Sequence, residues 1–201
     1  MAMTTTAENE IVLDLFKECD ALLQGHFKLT SGKHSEWYFE KIRLIEKPAA
    51  LEKIVDLLAA KIRREVPDFD YVVSPAYGAI AIGFLAALKL GKKFAFTQRA
   101  DEKMTIRSGF SGLDGSRAVI VEDILTTGGS IREVLACLHD HQIAVAGIYV
   151  LVDRSGGAVA VEGKAVGSLL ALKVEAFESD VCPFCAKGQP ITKPGASDKK
   201  A

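Results

Sequence analysis

Residues 118–138 constrain the fold of this chain more than any other stretch. Residues 118–121 are apolar and largely β-branched, which is typical of a buried strand in a parallel sheet. Residues 131–138 carry apolar side chains at i, i+3, i+4 and i+7, the stripe of a helix. Between them, residues 126–130 read Thr-Thr-Gly-Gly-Ser, a turn whose backbone N–H groups can point at an anion on a helix N-terminus. The stretch therefore predicts a strand, a phosphate-binding loop and a helix in one unit.

Two adjacent carboxylates precede this loop. Glu122 and Asp123 follow the predicted strand at its carboxyl end, where open α/β sheets bind ligands. The alternative interpretation is an ordinary strand-to-helix turn capped by Ser130. The acidic pair favours the phosphate interpretation, because carboxylates can accept hydrogen bonds from the vicinal hydroxyls of a sugar phosphate while the loop donates to its phosphate.

Length and charge limit the possible functions. With 201 residues, the chain is long enough to bury a core, and we expect one domain spanning 1–201. The net charge of −1 gives no general basic surface for nucleic acid, so phosphate recognition must be local. The chain starts without a basic region followed by an apolar core, and no apolar run approaches about 18 residues, so we expect no membrane association and a cytoplasmic location.

Helical and strand patterns alternate along the middle of the chain. This alternation predicts an α/β fold with a mostly parallel twisted sheet flanked by helices. The late apolar segments 159–161 and 169–177 are expected to form strands outside the main parallel set. The predicted helices are 5–24, 48–66 and 79–90, and the further predicted strands are 71–74, 94–97 and 144–152.

In the segment 25–40, apolar and polar residues alternate on both sides of a Ser-Gly-Lys turn, which predicts a hairpin. Trp37, Tyr38 and Phe39 are consecutive, so they cannot all face one side of a strand. At least one of them is expected to line a cleft or a second interface. The alternative is that all three close a small satellite core.

Residues 98–116 are charged, contain glycines and have no sustained period, which predicts a long mobile loop. Such loops are often lids over binding sites, and this one would bring Arg99, Lys103 and Arg107 to the site. The alternative is a solvated connection whose charges have no role. Arg154 follows the predicted strand 144–152 and is expected on the ligand side of the sheet.

Several motifs together resemble a known family. Residues 119–130 are similar to the signature of type I phosphoribosyltransferases, which binds phosphoribosyl pyrophosphate. Within that family, three further segments resemble the orotate-using members: the Phe-x-Leu-x-Ser-Gly-x-x-Ser-x-x-Tyr pattern at 27–38, Leu-Val-Asp-Arg at 151–154 and the Cys-Pro-Phe-Cys segment at 182–191. The resemblance covers residues 10–195. It implies the type I phosphoribosyltransferase fold, with a core at 46–159 and a small hood formed by 1–45 and 160–195.

The resemblance also implies an activity. A glycosyltransferase of this kind moves the phosphoribosyl group of 5-phosphoribosyl 1-pyrophosphate to N1 of orotate, giving orotidine 5'-monophosphate and pyrophosphate in de novo pyrimidine biosynthesis. It implies Mg²⁺ as the cofactor, bound through the substrate with no certain protein ligand, and a homodimer that shares the lid between subunits. An arginine suits orotate because it grips a carboxylate through two parallel hydrogen bonds.

Site residues follow from the resemblance position by position. The loop 75–78 would lie beneath the pyrophosphate. The implied catalytic residues are Asp123, Arg99 and Lys103, and the implied orotate-binding residues are Thr126, Arg154, Tyr38 and Phe39. The implied donor-binding residues are Glu122, Asp123, Ile124, Leu125, Thr126, Thr127, Gly128, Gly129 and Ser130.

The chain departs from the family pattern at several cationic positions. Many members have lysine where this chain has Thr30, Gly78 and Ala100, and a lid histidine is replaced around 104–105. Stabilisation of pyrophosphate would then depend on Arg99, Lys103 and Arg107. Lower cationic content predicts slower catalysis, greater reliance on Mg²⁺ or a different acceptor base.

Two other functions are open. One is a purine-base phosphoribosyltransferase that salvages adenine or xanthine, which Arg154 and the hood motif disfavour. The other is a regulator that binds phosphoribosyl pyrophosphate without catalysis. It is disfavoured because residues 1–24 are too short for a DNA-binding segment and carry no basic recognition helix.

The cysteines and histidines give no complete metal motif. Cys182 and Cys185 have zinc-ligand spacing, but they supply two ligands where structural zinc takes four. We therefore expect them to pack at a helix turn, unless a dimer pairs two such sites. The spacing of the histidines indicates neither a metal site nor a catalytic base, so surface or hood positions are expected for His26, His34, His139 and His141.

Overall fold

The computed structural model describes residues 7–29 and 31–194. Six strands form its main sheet: β3 (Tyr71–Pro75), β4 (Lys93–Ala100), β5 (Lys103–Ile106), β6 (Arg117–Leu125), β7 (Ala144–Asp153) and β8 (Gly167–Ala171). Their order is β5-β4-β3-β6-β7-β8, and every neighbouring pair is parallel except β4 and β5. The predicted α/β class with a mostly parallel sheet is confirmed.

Helices cover both faces of this sheet. They are α1 (Ala7–Glu18), α2 (Ile42–Glu46), α3 (Pro48–Glu65), α4 (Ile80–Leu90) and α5 (Gly129–Asp140), whereas the short helix α6 (Pro183–Ala186) belongs to the C-terminal segment away from the sheet. Side chains alternate along β6, so Val119 and Val121 pack with buried residues of α1, α3 and α4, whereas Ala118 and Ile120 pack with those of α5. The central strand is therefore apolar on both faces, as its composition predicts.

A smaller antiparallel hairpin, β1 (Leu22–Lys28) and β2 (His34–Phe39), stands apart from the main sheet. The C-terminal segment runs along it. The Thr192 N–H donates to the His26 carbonyl at 2.8 Å, and the backbones of His34 and Phe177 exchange two hydrogen bonds of 2.8 Å. We call the hairpin 22–39 together with residues 174–192 the hood.

The first helix is shorter than its sequence period predicts. α1 ends at Glu18, and Leu22 and Leu23 belong to β1, so the predicted helix end at Gly25 lies inside a strand. Asp20 adopts φ 54°, and the Ala21 N–H closes the helix end by donating to the Phe16 carbonyl at 2.8 Å. The two leucines continue the helical period by coincidence. The predicted start at residue 5 lies outside the described residues.

The predicted loop 98–116 contains a second hairpin. β4 extends to Ala100, and a turn with positive φ at Asp101 and Glu102 leads into the four residues of β5. Four residues are too few to show a period, which is why the sequence did not reveal the strand. We call residues 98–106 the lid hairpin.

The prediction for the late strands is wrong. β8 pairs in parallel with β7 and so extends the main sheet, rather than lying outside it. Its buried side chains, Leu169 and Leu170, complete the core at this edge of the sheet. Val161 forms only an isolated bridge with Lys164. Within residues 7–29 and 31–194, no helix combines the length and the apolar composition that crossing a bilayer would need.

Candidate active site

The acidic pair lies near the carboxyl end of β6, beyond the last residues that pair with β3. Both side chains are buried, with Glu122 6% exposed and Asp123 5% exposed. Oδ1 of Asp123 accepts a hydrogen bond from the Ile124 N–H at 2.6 Å, and its Oδ2 forms an ion pair with Nζ of Lys41 at 2.5 Å. Lys41 lies two residues after the end of β2, so a residue next to the hood pairs with a carboxylate of the main sheet.

Burial changes the protonation chemistry of this group. It raises the pKa of Glu122 to about 8, and the neighbouring Asp123 carboxylate acts in the same direction. Burial alone would lower the pKa of Lys41, but the carboxylates of Asp123 and Glu122 outweigh it and hold that pKa above its usual value. The site therefore combines a glutamate that holds its proton more tightly than usual with an Asp123–Lys41 ion pair.

The phosphate loop, residues 126–130, connects β6 to α5. Gly128 is the N-cap of α5 with φ 79°, and a Cβ on it would lie 2.8 Å from Cγ2 of Val161, so glycine is required there. No side chain caps the helix, which contradicts the alternative interpretation of a turn capped by Ser130. The first N–H groups of α5 lack intrahelical acceptors and remain available to an anion. Nη2 of Arg132 holds the loop by donating to the Thr127 carbonyl at 2.7 Å.

One cavity, of about 350 Å³, lies on the acidic side of the loop. Its walls are formed by the acidic pair, Lys41, Arg99, Ser130 and the segment 75–78, among others. A Cβ on Gly78 would collide with Oδ2 of Asp123 and Nζ of Lys41. A side chain at position 78 would therefore require the ends of the Lys41 and Asp123 side chains to move, and the ammonium of Lys41 lies beside this position.

A second cavity, of about 420 Å³, lies on the other side of the loop. Tyr38, Thr126, Thr127 and Arg154 contribute polar groups to it, and the rest of its wall comes from the hood residues Leu29, Ser31, Lys33, Val174 and Ala176. The Nε of Arg154 is buried and has no hydrogen-bond partner within the described part of the chain. A guanidinium in this position is suited to bind an anion that enters the cavity.

The backbone fixes Arg154 at the sheet edge. Its N–H donates to the Leu125 carbonyl at 2.9 Å, directly before the phosphate loop. The buried Asp153 accepts hydrogen bonds from the N–H and hydroxyl of Ser155 at 2.7 and 2.6 Å, which holds the turn that follows. Burial lowers the pKa of Arg154, partly offset by the Tyr38 phenol. Burial also raises the pKa of Tyr38 itself, so its hydroxyl keeps a proton to donate.

Phe39 does not line this cavity, contrary to what the resemblance implies for its ring. It is 5% exposed, and its ring packs edge-on against Phe16 with centroids 5.9 Å apart. Because side chains alternate along β2, Phe39 faces the core when Tyr38 faces the cavity. Of the three consecutive aromatic residues, Tyr38 is the one directed at a site beside the phosphate loop.

The lid hairpin carries its cations to the outer surface of α5. Arg99 donates to both carboxylate oxygens of Glu133, at 2.9 and 2.7 Å, and Lys103 donates to Asp140 at 3.1 Å. Arg99 still borders the first cavity, whereas Lys103 is not among the described residues that line it. Arg107 is exposed. This conformation therefore brings one of the three predicted lid cations to the site.

Sequence reasoning missed Lys41. The motif that predicts the hood ends at Tyr38, and nothing in the spacing connects residue 41 with residue 123. The only available signal was a lysine shortly after a motif strand that ends near the site. The other predicted donor-binding residues lie together along the end of β6 and the phosphate loop. The departure at Thr30 lies outside the described residues.

Comparisons with known proteins agree with this geometry. The family model of the phosphoribosyl transferase domain matches residues 44–182. An orotate phosphoribosyltransferase from Caldicellulosiruptor saccharolyticus is 37% identical over 191 residues, 95% of this chain and 98% of that protein. One from Pelotomaculum thermopropionicum is 40% identical over 185 residues, 92% and 96% of the two chains. The crystal structure of orotate phosphoribosyltransferase from Aeropyrum pernix superposes with a TM-score of 0.67 at 28% identity, over 81% of this chain and 94% of that one. The chain therefore belongs to the orotate phosphoribosyltransferases, within the phosphoribosyl transferase domain family.

Proposed function

We propose that this protein transfers the phosphoribosyl group of phosphoribosyl pyrophosphate to N1 of orotate, producing orotidine 5'-monophosphate and pyrophosphate for UMP biosynthesis. The observation that carries the proposal is Arg154, whose half-buried guanidinium, with a buried and unpaired Nε, faces a cavity across the phosphate loop from the acidic pair. A donor on the loop would thus meet an anionic acceptor held by Arg154. Relatives named for this activity match more than nine-tenths of the chain.

The donor is assigned to the first cavity. Its 5-phosphate would lie on the N–H groups and hydroxyls of residues 126–130, and its ribose hydroxyls would bond to Glu122 and Asp123. Ile124 and Leu125 position these groups as the last residues of β6. The pyrophosphate would extend over residues 75–78, where Lys41 and Arg99 can balance its charge.

The acceptor is assigned to the second cavity. Arg154 would bind the orotate carboxylate through two parallel hydrogen bonds, and Thr126 and Tyr38 would contact the ring. Phe39 supports the position of Tyr38 from the core side of β2 instead of touching the base. A purine has no carboxylate for Arg154, which disfavours a purine-base phosphoribosyltransferase.

Mg²⁺ is the proposed cofactor, and the residues present fit it. Mg²⁺ is usually bound through one or two carboxylates together with substrate phosphates, and the first cavity offers Glu122 and Asp123 beside the proposed pyrophosphate position. The ion would supply charge neutralisation on the leaving pyrophosphate. Lys41 already pairs with Asp123, so the protein contributes its own cation next to this position.

No protein nucleophile is required for this displacement, which proceeds with inversion at C1 of the ribose. The protein would position two charged substrates and stabilise the charge that develops on pyrophosphate. Asp123 holds the ribose side, and Lys41 and Arg99 face the leaving group. For Arg99 and Lys103, the catalytic role stays a prediction that requires the lid hairpin to leave Glu133 and Asp140. We further propose a homodimer that shares this hairpin, one domain over 1–201 and a cytoplasmic location.

Following the loss of orotate absorbance with phosphoribosyl pyrophosphate and Mg²⁺ tests the proposal. We expect orotate-dependent release of pyrophosphate in equal amount. A panel containing adenine and xanthine in place of orotate separates the purine alternative. Binding of phosphoribosyl pyrophosphate without release of pyrophosphate for any base would instead identify a regulator and refute the proposed activity.

A further inference from the structure

A second group of reactive side chains lies in the hood, and none of them lines either cavity. His26 is on β1 and His34 is on β2. Cys182 is the N-cap residue of α6, and Cys185 lies within that helix. One ligand atom from each of the four residues lies within 4.8 Å of all the others. His26, His34 and Cys182 are 3%, 5% and 2% exposed, and Cys185 is exposed. Nothing in the proposed reaction uses these groups.

The distances match a tetrahedral metal site. Nε2 of His26 and Nδ1 of His34 are 3.0 Å apart, and Sγ of Cys185 is 3.2 Å from Nδ1 of His34. Nε2 of His26 lies 3.6 Å from Sγ of Cys182 and 3.7 Å from Sγ of Cys185. Tetrahedral zinc with ordinary bond lengths separates two nitrogens by about 3.4 Å and a nitrogen from a sulfur by about 3.6 Å. These four separations lie within a few tenths of an ångström of the tetrahedral values, and every pair in the cluster lies within 4.8 Å.

The hydrogen bond of the other ring nitrogen of His26 leaves Nε2 suited to bind a metal ion. Its Nδ1 lies 2.9 Å from the Gln189 carbonyl oxygen, which can only accept, so Nδ1 carries the proton. Nε2 then has its lone pair free and directed at His34 and the two thiols. Histidine ligands of zinc typically donate their other N–H to a carbonyl or carboxylate in this way. Both thiols are free rather than joined in a disulfide.

We propose that His26, His34, Cys182 and Cys185 bind one structural Zn²⁺ per chain. Two cysteines and two histidines, with the cysteines in a C-x₂-C pair, are a common structural zinc set. The proposal replaces the expectation that the cysteines only pack at a helix turn, because the two further ligands come from the N-terminal hairpin, up to 159 residues away in sequence. The proposal likewise gives His26 and His34 a metal-binding role that their spacing in the sequence does not indicate.

Such an ion would join the two ends of the chain. It would connect the hairpin to the C-terminal segment, which otherwise depends on a few backbone hydrogen bonds and on ring contacts such as His26 with Phe184. Val174 and Ala176 precede the bridge between Phe177 and His34, and both line the second cavity opposite Tyr38. The ion would therefore fix two walls of the proposed acceptor site, a consequence that rests on the proposed function, whereas metal binding itself does not.

Metal analysis of the purified full-length protein tests the proposal. We expect about one zinc per chain, falling below about a tenth in Cys182→Ser, Cys185→Ser and His34→Gln, because loss of one ligand of four leaves an incomplete site. Cys137→Ser is the matched control, since Cys137 is a buried free thiol on α5, and it should retain the metal.

If the variants fail to fold, a spectroscopic titration of the wild-type protein still tests the proposal. Metal-free wild-type protein titrated with Co²⁺ should develop the visible and thiolate charge-transfer absorption of a tetrahedral site at one equivalent, and Zn²⁺ should displace it. Wild-type protein that binds neither ion, or a Cys182–Cys185 disulfide as the stable form under reducing conditions, would overturn the proposal. Chelation should also raise the KM for orotate more than the KM for phosphoribosyl pyrophosphate. Zinc at one equivalent without orotate turnover would refute the proposed function while leaving the metal site intact.

Discussion

The phosphate loop and the hood both border the candidate active site, but they are held in place by different kinds of contact. The loop belongs to one continuous stretch, β6 through α5, held by parallel ladders to β3 and β7. The hood consists of two segments distant in sequence, the hairpin 22–39 and residues 174–192. A few hydrogen bonds and the cluster of His26, His34, Cys182 and Cys185 bring these segments together. The proposed donor-binding groups lie in the continuous stretch, whereas the wall of the proposed acceptor cavity depends on contacts between segments distant in sequence. Changes in the loop should therefore affect donor chemistry, and changes around Arg154 should affect the acceptor.

Asp123→Asn should have the largest effect. We expect turnover to fall by roughly 10²- to 10³-fold, because the neutral amide can neither hold the charge of Lys41 nor bind the ribose hydroxyls as a carboxylate does. The thermal midpoint should stay close to wild type. Asp68→Asn makes the same chemical change at an exposed ion pair and should leave kinetics unchanged. Near wild-type turnover in Asp123→Asn would show that the acidic pair has no catalytic role.

Arg154→Met should separate the two substrates. Loss of a charge-assisted pair of hydrogen bonds should raise the KM for orotate by roughly 10- to 100-fold. The KM for phosphoribosyl pyrophosphate should change little, because Arg154 lies across the loop from the acidic cavity. Arg64→Met, at an exposed arginine, is the control for loss of an arginine side chain. Equal increases in both KM values would contradict the assignment of the second cavity to the acceptor.

Gly128→Ala should weaken the fold at the loop. The left-handed backbone and the contact with Val161 should lower the free energy of unfolding by roughly 1–3 kcal/mol, measured by urea denaturation. Gly129→Ala adds the same methyl group, but its nearest neighbour would be Oγ1 of Thr127 at 3.9 Å, so stability should be retained. If the two variants are equally stable, Gly128 is not required by its conformation.

The smallest effect concerns pH. Glu122 has a raised pKa in the folded state, so its contribution to stability is fully present below the unfolded value of 4.5 and is lost as the pH rises through about 8. Glu122→Gln should remove this dependence, so the variant should gain roughly a few degrees in Tm over wild type between pH 6 and pH 8.5. Thermal melts of both proteins across this range test it. A constant difference in Tm would mean that Glu122 titrates normally.

The same contrast explains how much the sequence could reveal. The strand, loop and helix of the donor site were predicted because their signals lie next to each other, and the position of Arg154 followed from the end of a strand. The contact of Lys41 with Asp123, the proximity of the histidines to the cysteines and the place of β8 in the main sheet were not predicted. Each depends on which distant segments the fold brings together. Gly78 is an example. In the sequence it stands where many family members have lysine, and in the structure the absence of a side chain there leaves space for Lys41.

The ion pairs of the lid hairpin make its conformation sensitive to salt concentration. Its two anchors, Arg99 with Glu133 and Lys103 with Asp140, are exposed ion pairs, with side-chain exposures of 62% and 39% and of 73% and 56%. Pairs of this kind contribute about 0–1 kcal/mol each and are screened by salt. The Arg99 and Lys103 side chains can therefore leave the surface of α5 at little cost, while Met104 of the hairpin stays in the core beside α5, and moderate ionic strength should favour release of the two cations. Dilute buffer should instead hold Arg99 and Lys103 on the helix surface, so that the availability of the lid cations depends on the salt concentration of the surrounding solution.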